Sequence, residues 1–375
     1  MKRLLRRPLV TLSALVLAVS LCVTQCFLSG YLDGQKQALE DTKQNFEVVC
    51  VVTDRAGAKS HGLRLPESYL QVVRDPSVHL SGLVRNLQVT RELAYLRNYS
   101  EFVPVTAVSA AGCDERLDPA LGAEVRLTEK FYGLSEPVCL VSATRYAELE
   151  EKTLSLTLVD PLTFRPGLSD PPEPTELRVV GCYAGTGDTV FVPFAYAETL
   201  MKERMGGVTC DSMRFLVADN EKIDELREAA SLFFGEVDPN ADASATLKYT
   251  LIVRDEMYRM TLSTIEQNIL RTEYLLPFVL LLSLGISFLV SFLATRSENR
   301  NYALMRTVGL TQGRLFANVL LEQSIPALLA AVAVGAIMRQ PLDAGAYLLC
   351  HLTGCCIAVL RTVRVPPTMI LREQE

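Results

Sequence analysis

Residue types that could do chemistry occur in a few places, and most fail on spacing. In DRAGAKSH, residues 54–61, a lysine follows small residues, as in loops whose backbone N–H groups cradle phosphates. Ala58 stands where the glycine before the lysine is required, and Thr53 stands where the first glycine should be. Nucleotide hydrolysis is not expected there. The GTG at 185–187 is followed by strand-forming residues, whereas dinucleotide binding requires a helix N-terminus after the glycines. It is expected to be a turn. His61, His79 and His351 show neither H-x-x-x-H nor His-Cys spacing for zinc. His351 lies in an apolar run, where it reads as a neutral imidazole bonded to a neighbouring helix, the alternative being a functional polar site. Cys22 and Cys26 share a helix face, and they and the Cys355/Cys356 pair read as packing residues. With no G-x-S-x-G elbow either, the chain is not expected to be an enzyme or to bind a cofactor or metal.

One stretch resists this dismissal: RSENRNYALMRTVGLTQGRLFANVLLEQ, residues 296–323, which sets arginines, a glutamate and a glycine break between two apolar runs. ENRNYALMRTV has helix-forming composition. Leu304, Met305 and Val308 with Tyr302 make an apolar patch too small to cross a bilayer. Gly309 fits the left-handed position after a helix end, and Thr311 can cap the next helix. The expectation is a short helix with an apolar knob ringed by arginines. An interfacial anchor has the same composition, and these residues alone do not choose between anchor and docking site.

The elements that position this stretch are spans. The chain has 375 residues, is 49% hydrophobic, and keeps its apolar residues in blocks at its two ends. Pro8 to Leu32 and Tyr274 to Thr295 carry no charged side chain, and each exceeds the roughly 30 Å of hydrocarbon in a bilayer. Gln323 to Met338 and Ala344 to Leu360, split by RQPLD, are expected to form a helical hairpin, the last span being marginal in length. The first block reads as an uncleaved helix rather than a secretory signal, because it is longer than a signal's apolar region and lacks a clear cleavage site.

Lysine and arginine placement sets the expected orientation. Lys2, Arg3, Arg6 and Arg7, then Arg296, Arg300, Arg306 and Arg314, then Arg361, Arg364 and Arg372 fall on one side. Arg339 alone lies in the only short loop opposite. The expected order is a basic cytoplasmic N-terminus and first helix (1–32), an extracytoplasmic domain with stalk helices (33–272), helix 2 (273–295), a cytoplasmic loop (296–314), helix 3 (315–338), helix 4 (343–363) and a cytoplasmic tail (364–375). The net charge of −6 averages an acidic outer domain with basic ends. No basic face interleaved with aromatics points to nucleic acid. Cys50, Cys113, Cys139, Cys182 and Cys210 are odd in number and read as free thiols.

Within 33–272 the pattern is α+β. FEVVCVVTD, SEPVCLVS, TLSLTLVD, SMRFLVAD and TLKYTLIV read as strands, while PESYLQVVRD, ATRYAELEEK, FAYAETLMKE and NEKIDELREAASLFF read as helices. ELRVVGCYAGTGDTVFVP reads as a hairpin around Gly185 and Gly187. The proline-rich segment PLTFRPGLSDPPEPTE is the expected boundary between two subdomains. DGQKQALEDTKQN and the stripe Met257, Met260, Leu262, Ile265, Ile269 and Leu270 are expected to carry the first two spans outward as a stalk.

One span, a large outer domain and three further spans resemble the FtsX-like permeases of ABC transporters, whose MacB-type members share that order. The resemblance extends to residues: Arg296, Glu298, Leu304, Met305, Arg306, Val308, Gly309 and Glu322 fall where the family loop has its arginine and glutamate, its arginine-glycine core and its acidic residue. Pro367, Leu371 and Arg372 match the usual ending, and VVGCYAGTGDTVFVPFAYAETL is similar to a segment of the MacB-type outer domain. The resemblance implies an α-helical membrane protein with four transmembrane helices and a MacB-type periplasmic-core-like α+β domain between helices 1 and 2, in a bacterial plasma membrane with both termini cytoplasmic. It further implies that Glu298, Arg300, Tyr302, Leu304, Met305, Arg306, Val308 and Gly309 form a coupling helix docked on a cytoplasmic ABC-type ATP-binding subunit. A second permease chain and an extracytoplasmic client, such as a peptide, lipoprotein or antibiotic, would complete the assembly. The alternative is a non-transporting receptor or regulator that controls a cell-wall enzyme through its outer domain.

Overall fold

The computed structural model describes residues 8–97, 101–165, 172–238 and 247–363, and the matched residues Pro367, Leu371 and Arg372 lie outside them. The chain divides into two compact units, one of residues 43–259 and one of residues 1–42 with 260–375. In chain order the elements are α1 (Pro8–Asn45), β1 (Val49–Asp54), β2 (Leu65–Pro66), α2 (Glu67–Arg74), α3 (His79–Gly82), β3 (Val84–Arg97), β4 (Glu101–Val108), β5 (Val125–Leu127), β6 (Val138–Ser142), α4 (Ala143–Glu148), β7 (Thr153–Leu156), β8 (Leu158–Val159), β9 (Thr175–Tyr183), β10 (Val190–Pro193), α5 (Phe194–Arg204), β11 (Thr209–Cys210), β12 (Ser212–Val217), α6 (Ile223–Ser231), β13 (Tyr249–Arg254), α7 (Glu256–Ser297), α8 (Asn299–Thr307), α9 (Gln312–Met338) and α10 (Pro341–Val363).

The α/β unit is built on one mixed sheet in the order β13-β1-β12-β3-β4-β10-β6-β9-β5, with β7 beside β9 and β8 beside β3. Burial follows strand chemistry. β12 alternates, placing Met213, Phe215 and Val217 inward, while the short β6 (VCLVS) is buried along its whole length. Phe131, Tyr183 and Phe191 pack with Leu117, Val138 and Leu140 in one cluster of this unit.

Two expectations for this unit are corrected. β9 and β10 do not form a hairpin, because β6 lies between them, parallel to β9 and antiparallel to β10. The proline-rich segment is not a boundary between subdomains either. β7 precedes it and β9 follows it, yet they pair residue for residue from Thr153↔Arg178 to Leu156↔Thr175. Prolines place no limit on how the residues flanking them pair.

The helical unit contains four helices long and apolar enough to cross a membrane: Leu12–Asn45, Glu256–Ser297, Gln312–Met338 and Pro341–Thr362. The last is longer than its uncharged core because Pro341 starts the helix early and Arg361 and Thr362 continue it. α9 turns into α10 through Arg339 in the left-handed conformation, φ 57°. Small residues dominate the packing: Ala18, Cys22 and Cys26 of α1 meet Ala327, Ala330 and Val334 of α9 and Ala344 and Tyr347 of α10. At Gly354 an added Cβ would meet the Leu284 carbonyl oxygen at 2.7 Å, so α10 approaches α7 as closely as backbones allow. Lys36 of α1 and Glu273 of α7 form a 2.9 Å ion pair, as expected for paired extensions. The stripe on α7 is only partly used, however: Ile269 is buried while Met257, Met260 and Leu270 remain exposed.

Candidate functional site: the helix between two spans

α8 occupies the turn between α7 and α9, and its C-terminal end is closed by a specific clasp. The Gly309 N–H donates to the Arg306 carbonyl at 3.1 Å, and the Leu310 N–H reaches back to the Met305 carbonyl at 3.1 Å. This paired pattern is a Schellman motif, and it requires a left-handed residue at Gly309, whose φ is +102°. Its accompanying apolar contact is present: Met305 and Leu310 both pack on the cluster of Tyr302, Leu315, Val319 and Val359. Thr311 occupies the N-cap position of α9, but its side chain makes no capping bond; the Leu315 N–H donates to its backbone carbonyl.

The expected apolar knob is therefore divided. Leu304 and Val308, one turn apart, are 49% and 89% exposed, whereas Tyr302 is buried. Met305 turns inward with Tyr302, which corrects its expected place in the exposed knob. A helix rotates 100° per residue, so positions 302 and 304 point to nearly opposite sides. Glu298 ends the turn out of α7, and its carbonyl accepts from the Tyr302 N–H at 3.1 Å. Arg306 is half-buried, and Arg296 and Arg314 at the two flanks are exposed. Arg300 lies one turn before Leu304 in α8; its side chain is outside the described residues. The site thus offers two aliphatic side chains on a helix fixed from behind, flanked by cations.

Other candidates resolve into structure. Asp54 in DRAGAKSH accepts from the Ala58 and Lys59 N–H groups at 2.8 and 2.9 Å and closes a turn after β1. The GTG lies in the connection from β9 to β10. His79 pairs with Glu225 at the surface, 2.8 Å apart. His351 Nδ1 lies 2.8 Å from the Ser287 hydroxyl, the neighbouring-helix bond expected of it. None of the ten cysteines is in a disulfide. Burial pushes the thiols of Cys50, Cys139 and Cys210 up to about 12, so they stay protonated and unreactive at neutral pH. Among the described residues no group of three His, Cys, Asp or Glu side chains is gathered to hold a metal.

Two features had no counterpart in the sequence reading. One is a buried charge cluster in the α/β unit: the Arg91 guanidinium donates to Asp211 and to Asp160, each at 2.8 Å, and Arg64 donates to both oxygens of Asp160. An arginine in the middle of the apolar run VTRELAYL was its only sequence signal. The other is a polar seam in the helical unit: Ser283, Ser287, Ser291 and Thr295 recur every fourth residue on α7, and all are buried. Ser291 donates to Cys355 Sγ at 2.9 Å, and Gln323 Nε2 donates to Thr295 Oγ1 at 3.1 Å.

No family model and no curated protein matches the chain. Among solved structures it is similar to the periplasmic region of MacB from Actinobacillus actinomycetemcomitans, at 9% identity and a TM-score of 0.32, over 59% of this chain and 94% of that one. It is also similar to the extracellular domain of the noncanonic ABC-type transporter YknZ from Gram-positive bacteria, at 10% identity and a TM-score of 0.33, over 54% of this chain and 99% of that one. MacB, after which the resembled group is called, is thus one of the two. At those scores neither similarity fixes a shared fold, and the functional case rests on this chain's own spans and loop residues.

Proposed function

We propose that the chain is the permease subunit of an FtsX-like, MacB-type ABC transporter in a bacterial plasma membrane. Both termini and α8 face the cytoplasm, and the α/β unit lies outside. α8 docks on a separate ATP-binding subunit, which hydrolyses the nucleotide. Two permease chains pair with two such subunits, and the motion reaches the α/β unit through α1 and α7 and acts there on a peptide, lipoprotein or antibiotic-like client.

The observation that carries this reading is the geometry of α8. Leu304 and Val308 project from a helix whose far side is clamped to the protein's own core by Tyr302, Met305 and Leu310. Interfaces place such preorganised aliphatic groups at their centre and arginines at their rim. The clustering of lysine and arginine at the N-terminus, around α8 and after α10 supports the orientation. So does the scarcity of charge inside the spans, which suits transmitted motion better than an ion pathway.

The test is to extract the tagged full-length chain gently from its native membrane and identify what accompanies it in stoichiometric amount. A P-loop ATPase is expected, and it should be lost with Val308→Glu at unchanged membrane yield. Recovery of the chain without any ATPase, or with only a protein bound to the α/β unit, would refute the transporter reading.

A further inference from the structure

Immediately behind α8, the helical unit frames a half-open cavity of about 470 Å³, within the range that holds a drug-sized molecule. Leu17 of α1, Val290 and Leu293 of α7 and Val319 of α9 give it apolar walls. Its ionisable lining side chains are Glu298, Glu322, His351 and Tyr302. Glu298 and Glu322 both reach the cavity, and no lysine or arginine is among its described lining residues. Glu322 is half-buried, and its carboxylate forms no hydrogen bond or ion pair among the described residues. The next residue, Gln323, ties α9 to α7 by donating from its Nε2 to Thr295 Oγ1 at 3.1 Å.

A carboxylate with no cation beside it at the wall of an apolar membrane cavity is costly unless something neutralises it. A positively charged group does so. We infer that this cavity binds a cationic amphiphile, with its ammonium group at Glu322 and an apolar body along Leu17, Val290 and Val319. An anionic or phosphate headgroup finds no cation among the described lining residues. Glu298 at the N-cap of α8 and Tyr302 within it line the cavity, so an occupant touches the helix with the exposed Leu304 and Val308. The inference stands on the helical unit alone and holds whatever docks on α8.

The experiment uses the full chain in lipid nanodiscs and three photoreactive probes of equal length: a diazirine-bearing decylamine, the corresponding alcohol and the corresponding carboxylate. Crosslinked peptides are quantified by mass spectrometry. The amine is expected to label the α7 and α9 lining about tenfold more than the alcohol, equivalent to one charge-assisted contact, and the carboxylate least. Glu322→Gln should reduce amine labelling to the alcohol level, and Glu322→Asp should retain most of it. Equal labelling by amine and alcohol, preference for the carboxylate, or full amine labelling in a folded Glu322→Gln chain would each overturn the proposal. If Glu322→Gln does not fold, the three-probe comparison on the unaltered chain decides alone.

Discussion

Val308 gives the docking proposal a quantitative test. It is 89% exposed at the end of α8, and Leu304 on the same face is 49% exposed, so a partner has nearly the whole of one aliphatic side chain and half of another to bury. At about 0.8 kcal/mol per methylene-sized group, Val308→Ala removes two such groups and should weaken docking by about 1.5 kcal/mol, or about tenfold in Kd. Leu304→Ala removes three carbons of which half the surface is available, so a loss of about 1 kcal/mol follows, roughly fivefold. Val308→Glu places an unpaired carboxylate at an apolar contact and should weaken docking by more than about a hundredfold. None of the three changes touches the Met305–Leu310 contact, so thermal stability should hold. Met305→Ala should do the reverse, lowering thermal stability by about 2 kcal/mol or more with a smaller direct effect on docking. The assay is binding of the co-purified ATPase to full-length chain in nanodiscs, with thermal unfolding measured on the same samples. Docking unchanged by Val308→Glu, or lost through Met305→Ala at full stability, would refute the division of α8 into an outward pair and an inward clamp.

Three further outcomes follow from the geometry. Gly309→Ala forces a Cβ into a left-handed backbone at a cost of about 1–2 kcal/mol; the α8 end should fray, seen as faster hydrogen exchange at Leu310, with weaker docking at unchanged membrane yield. Arg91→Met leaves Asp211, among the described residues, with only the Glu92 N–H and should cost about 3–5 kcal/mol, a fall of roughly 10 °C in the unfolding of the α/β unit; adding Asp211→Asn should recover part of it, and a fall no larger than that of a surface change would refute the cluster's role. Burial raises the Glu198 carboxyl, but the ion pairs to Arg74 and Lys202 outweigh it and hold the group below its ordinary value of 4.5. That depression stabilises the fold above the ordinary value, and the gain is lost as pH falls through the folded one, so Glu198→Gln should flatten the acid limb of the stability profile by slightly lowering neutral stability while leaving stability at low pH unchanged. The exposed sides of Arg74 and Lys202 keep this effect small.

What the sequence revealed and concealed separates by the range of the forces involved. The four spans were legible because hydrocarbon thickness is an external ruler, and a charge-free run either exceeds it or does not. The Gly309 break was legible for a similar reason: a single backbone position demands a positive φ, and glycine supplies it. β3 and β4 went unread although they form a long antiparallel pair, because Arg91 interrupts the buried apolar residues of β3, and what makes it tolerable, Asp211 and Asp160, lies far off in sequence. The false hairpin between β9 and β10 has the same origin. Two strands joined by a glycine turn satisfy every local signal, and the insertion of β6 between them is decided by packing across the sheet. The error in α8 was of another kind. Tyr302 and Met305 were grouped with Leu304 and Val308 by composition, although helical rotation already separates 302 from 304 by 200°. The cavity behind α8 was beyond sequence altogether: Glu322 matched the acidic residue of the resembled family loop, and only the packing of α1, α7 and α10 around it sets its carboxylate on a cavity wall with no partner among the described residues. Local rules thus located the helix proposed to dock on a partner, and only the assembled helices located the space behind it, where a ligand would touch the same helix from inside.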